Sequence, residues 1–73
     1  GNSDEAMLLK VVDRLLPFLL NINNDGKPWK EHSVRKSQVA GAHAFISELF
    51  PEIHQWITHN IERAVAKGWL LND

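Results

Sequence analysis

Apolar residues recur along this chain at spacings of three and four from Met7 to Val65, and no stretch of alternating apolar and polar residues lies between turn signals. A period near 3.6 belongs to helices with one covered face. The pattern therefore predicts an all-α domain, a small bundle of three helices, or of four if the second is broken. The first helix starts near Ser3 or Asp4, either of which can cap it, with Asp4 and Glu5 at the positive end of its dipole. It runs to about Asn21. Pro17 falls inside this span, removes a backbone donor and crowds the carbonyl four residues earlier, which predicts a kink or an early stop near Leu16. Asn21, Asn23, Asn24, Asp25, Gly26 and Pro28 then gather turn-forming residues and make 22–32 a loop, long for so short a chain.

The second helix is expected to take Ser33 as its cap and to carry Val34, Val39, Ala42, Phe45, Ile46 and Leu49 on one face until Pro51 ends it. Proline also suits the first turn of a helix, so Pro51 opens the third, whose covered positions are Ile53, Trp56, Ile57, Ile61, Ala64 and Val65. Gly68 terminates it, leaving Trp69, Leu70 and Leu71 as an apolar tail that must fold back onto the bundle or onto a partner. Within the second helix, Ala40, Gly41, Ala42 and Ala44 leave the backbone nearly bare. A glycine there costs about 1 kcal/mol against alanine. A tight crossing with the third helix would account for it, and so would a sharp turn at Gly41.

Set at 100° steps around an ideal helix, the apolar residues of the second and third helices cover arcs of about 160° each, which suits packing on one side. The first helix differs. Its apolar residues between Met7 and Ile22 sweep about 220°, leaving Lys10, Asp13, Arg14, Pro17 and Asn21 as the wet side. Two neighbouring helices cannot hide that much. Leu9, Leu16 and Leu20 on one border, or Met7 and Phe18 on the other, are then left as an exposed patch of the kind that marks an interface. The competing expectation is that a kink at Pro17 and the tail Trp69 to Leu71 wrap this helix and bury the excess.

Composition narrows the classes. The 73 residues allow one domain, since a chain this short buries only about 60% of the surface its unfolded form exposes. There is no cysteine, so neither a disulfide nor a thiolate metal site can supplement the core. The longest apolar run, Leu15 to Leu20, is broken by Pro17 and is far short of the roughly 20 residues that cross a bilayer. No basic segment precedes it as a secretion signal would require. The expectation is a soluble, cytoplasmic protein with no membrane partner. Because the chain opens with Gly1, Asn2 and Ser3 instead of methionine, residues 1–73 read as one domain excised from a longer protein.

The formal net charge of −1 gives no overall pull toward nucleic acid. Its distribution is uneven, because Lys27, Lys30, Arg35 and Lys36 against Glu31 leave 27–36 at +3 and the remainder at −4. With Trp29 in its midst, this segment combines an aromatic and four cations beside a helix start, a composition that can hold phosphate or an acidic peptide. The competing and preferred expectation is a solvated loop whose tryptophan folds back into the core. The four histidines do not make a metal site, since His54 and His59 are five apart and point about 140° from each other, where a helical pair needs three or four. No nucleophile elbow, phosphate loop or paired carboxylates occur, so no enzyme, cofactor or small-molecule substrate is expected.

The closing stretch Ile61, Glu62, Arg63, Ala64, Val65, Ala66, Lys67, Gly68, Trp69, Leu70 resembles the end of a winged-helix recognition helix, where Lys-Gly leads into the first wing strand. It departs from that family in stopping at Asp73, short of a second wing strand, and in offering the groove the charge of Glu62. The resemblance implies an alternative, a helix-turn-helix or winged-helix-like DNA-binding domain using Lys27, Lys30, Arg35, Lys36 and the third helix. The preferred expectation is a non-catalytic module for a protein partner or a second copy of itself. It would bind through Met7, Leu9, Leu16, Phe18 and Leu20, with Trp29 at the rim.

Overall fold

The computed structural model describes residues 2–73, with side chains from Asp4 onward, and it is all-α. Five helices follow one another: α1 (Asn2–Asn23), α2 (Lys27–Glu31), α3 (Lys36–His43), α4 (Ile46–Leu49) and α5 (Pro51–Ala66). At about 1.5 Å per residue, α1 is some 33 Å long and dominates a molecule measuring 41 × 17 × 17 Å. Asp4 and Glu5 stand in its first turn, while the Ser3 side chain, the other expected cap, lies outside the described residues. The helix does not stop at Leu16. It passes through Pro17 to Asn23, and Pro17 is exposed on the wet side, so the donor it lacks leaves no buried group stranded.

The segment 22–32 is not a loop. Its turn residues are compressed into 24–26, with Asp25 and Gly26 at φ of 56° and 66°, and Pro28 begins a helix where it was expected to hold one off. Every donor at the start of α2 is satisfied. Lys27 N–H reaches the Asn24 carbonyl (3.1 Å), Pro28 has none to place, Trp29 N–H is taken by Asn21 Oδ1 (3.1 Å), and Lys30 N–H returns to Gly26 O (2.9 Å). Glycine is required at 26 on two counts, because φ is positive and a Cβ there would overlap the Trp69 side chain.

Three helices end the same way, with a residue in the left-handed region and a bond from the next N–H back to the carbonyl five residues earlier. In α1 the bond is Gly26 N to Asn21 O (2.8 Å), in α2 Val34 N to Trp29 O (3.0 Å), and in α5 Trp69 N to Ala64 O (2.8 Å). The left-handed residues are Asp25, Ser33 and Gly68. Ser33 therefore closes α2 and does not cap α3, whose first residue is flanked by Arg35 in extended conformation. Gln38 Oε1 accepts the Arg35 N–H (2.8 Å) in its place.

The tail completes α3. Lys36 N–H donates to Leu71 O (2.8 Å), and Leu71 N–H to Val34 O (3.0 Å), a single parallel bridge in place of a wing hairpin. The Ser37 N–H and hydroxyl donate to the two oxygens of the Asp73 carboxylate (3.1 and 2.5 Å), which caps a helix from 36 residues away. These bonds, the hydroxyl one first, hold the Asp73 carboxyl below the usual carboxylate range. Lys36 Nζ also pairs with Glu62 of α5 at 2.9 Å.

The expected second helix is split, but not at Gly41. The interruption falls at Ala44 and Phe45, which keep right-handed helical angles, so the pitch tightens without turning a corner. Ser47 supplies the cause, since its N–H and hydroxyl both donate to Ala44 O (3.2 and 2.9 Å). Nor does a close crossing explain Gly41, which is exposed with nothing within 4 Å of where a Cβ would sit.

The core is built on Phe18, whose ring centroid lies 5.6 Å from Trp29, 5.2 Å from His43 and 5.9 Å from Trp56. Val11, Val39, Ile46, Ile57, Ile61, Ala64 and Leu70 fill the space around it. His43 is buried with Nδ1 against Val39 O (2.7 Å) and Nε2 against Arg14 O (3.3 Å), which ties α3 to α1. Lys10 of α1 sits over the Phe45 ring at 4.5 Å.

Candidate docking interface

α1 has two apolar faces, and the fold uses one. Val11 and Phe18 are buried, and Met7, Leu15 and Ile22 half-buried, along a stripe of about 80°. Beside it, over about 120° more, Leu8, Leu9, Val12, Leu16, Leu19 and Leu20 are all exposed, Leu9 and Leu20 by 64% and 62%. Together their bare portions come to on the order of 500 Å² of apolar surface, near the top of what monomers leave uncovered. The tail cannot cover this face because it is committed elsewhere, with Leu70 buried and Leu71 bonded to Val34 and Lys36.

One edge of the face opens into a groove of about 370 Å³ between α1 and α5, walled by Leu15, Leu19, Glu52, Ile53 and Trp56. Trp56 belongs half to each region. It touches Phe18 with its edge, yet 44% of it is exposed. Asn60, one turn along, directs its side-chain N–H to Trp56 O (2.9 Å) and so withdraws from the groove.

Three residues expected on this surface are elsewhere, the first being Met7, half-buried on the covered stripe. Phe18 is 2% exposed and Trp29 7% exposed, both in the core, so neither offers an outer contact. Of the two borders of the 220° sweep, the covered one is the Met7–Phe18 side, because His43, Trp29 and Trp56 converge on Phe18 there. Trp29 turns inward because α2 is a helix, which gives it an inner side. Val12 and Leu19, which were not singled out, lie on the bare face. The spacing 9, 12, 16, 19 is a three–four alternation that could have revealed them.

The four cations of 27–36 are not equally free. Lys27 and Lys30 are exposed on α2, whereas Arg35 flanks α3 close to Asp73, and Lys36 is half-buried against Glu62. A smaller hollow of about 220 Å³ lies among Arg14, Phe18, Asn21, Trp29, Gln38 and His43. Its buried polar groups already have partners, Asn21 in Trp29 N–H and Pro17 O, and His43 in a single donated bond to one of the two carbonyls, Val39 O or Arg14 O, that face its ring nitrogens. Among the described residues no group of three or more His, Asp or Glu could hold a metal ion, and no helix is long and apolar enough to cross a membrane. No protein-family model, curated protein or solved structure matches the chain.

Proposed function

We propose that this protein is a non-catalytic helical interaction module that docks a partner helix on the outer face of α1. The observation that carries the reading is the unbroken strip of six exposed aliphatic side chains on a helix whose neighbouring apolar stripe packs into the core. Apolar anchors at spacings of three and four suit a helix laid lengthwise, and the groove beside Trp56 accepts side chains from it. A cytoplasmic setting is part of the same proposal. The nucleic-acid alternative is weaker because Lys36 is neutralised by Glu62 and Arg35 faces Asp73, which leaves too little concentrated charge to grip phosphates. Strongly salt-dependent binding to duplex DNA would reverse that order.

The test is a pair of charge insertions, Leu9→Asp and Leu16→Asp. Both variants should keep the circular dichroism and urea midpoint of the parent, because the replaced side chains already face water, while association is lost. Unfolding of both would show that the face belongs to the core and would end the reading.

A further inference from the structure

We infer that the partner on α1 is a second copy of this chain, its α1 running antiparallel in one fixed register. This rests on the docking reading above and adds the occupant. The bare face is a two-heptad seam, with Leu9 and Leu16 alternating with Val12 and Leu19 at spacings of three, four and three. Continued one step at each end, the same alternation reaches Glu5 and Asn23, both exposed. The seam therefore ends in one carboxylate and one carboxamide.

That asymmetry selects the orientation. Parallel copies would set Glu5 against Glu5 at one end of the seam, where the two like charges repel. In a two-fold antiparallel pairing, Leu9 meets Leu19 of the second copy and Val12 meets Leu16. The same register brings Glu5 to Asn23, whose amide N–H groups can donate to the carboxylate. Each contact then occurs twice, as an isologous interface demands. Opposed helix dipoles favour the same orientation.

The area agrees with a modest dimer. Two α1 faces would bury on the order of 1,000 Å² of apolar surface, and the walls at Ile53 and Trp56 extend it toward the roughly 1,200–2,000 Å² of specific interfaces. A lipid surface is the less suitable occupant. Interfacial helices carry a basic polar face, whereas α1 holds Asp4, Glu5 and Asp13 against Lys10 and Arg14.

The chain has no cysteine, so introduced ones report cleanly. Sedimentation equilibrium of the whole chain at about 100 µM, the regime of small interfaces, should give twice the 8.3 kDa mass. Val12→Cys and Leu16→Cys, mixed in equal amounts in a glutathione redox buffer, should yield the mixed disulfide well above the one-half expected by chance. An excess of either same-site disulfide, or a chance distribution, overturns the register. A monomeric parent overturns the second copy, and so does a monomer that instead sediments with phosphatidylcholine–phosphatidylserine vesicles. If Leu9→Asp and Leu16→Asp remain folded in that case, the docking face itself survives; if they unfold, both readings fall together.

Discussion

Asn21 Oδ1 accepts the Trp29 backbone N–H at 3.1 Å, so a side chain near the end of α1 serves as the missing cap of α2. The bond is buried, and the Asn21 amide spends its own N–H on Pro17 O at 3.2 Å. Asn21→Ala leaves the Trp29 donor unsatisfied, which costs about 1–3 kcal/mol. Asn24→Ala, which removes only an exposed bond to Leu20 O, should cost less. Urea denaturation followed by circular dichroism gives both values, and equal losses would mean that the bond to Trp29 does not matter.

The glycines should rank by environment. Gly26→Ala combines positive φ with overlap onto Trp69 and should lose at least about 2 kcal/mol. Gly68→Ala meets only the conformational cost, about 1 kcal/mol, because open space surrounds it. Gly41→Ala should gain about 0.5–1 kcal/mol, since the position is helical, exposed and free of neighbours. Thermal melts of the three variants check the order.

Exposure separates residues that the chain's pattern groups together. Phe18→Ala should cost about 3–5 kcal/mol, a large share of the stability of so small a domain. Leu20→Ala, two residues on, should change the unfolding free energy of the monomer by no more than about 0.5 kcal/mol. Denaturation at low protein concentration measures both without interference from association.

The helix types, the opening of α5 at Pro51 and its end at Gly68 were legible because each depends on a local rule: period, a proline's fixed φ, a glycine's freedom. The excess apolar width of α1 was legible for the same reason, as arithmetic on angles. Which border stayed bare was not, because that depends on where Trp29, His43 and Trp56 arrive from distant parts of the chain. The misreading of Ser33 has a specific cause. A small polar residue before an apolar run looks like a cap, yet the same residue tolerates the left-handed angles that finish the preceding helix. The partnership of Ser37 with Asp73 had no local signal at all, since 36 residues separate them.

That pairing should respond to pH. Because the Asp73 carboxyl titrates lower in the folded state than unfolded, its contribution is present above the ordinary carboxylate range and is lost as pH falls through the depressed value. The Ser37 amide resonance should shift along that titration in NMR spectra. Asp73→Asn should remove the shift, and a Ser37 signal that ignores pH would show that the carboxylate is not its cap.

The same carboxylate ties the start of α3 to a distant part of the chain. The backbone donors of residues 36 and 37 find their acceptors at Leu71 and Asp73, not in the turn that precedes them. Residues 71–73 thus act as a strap, and loosening it strips a helix half the chain away of the oxygens that finish its first turn.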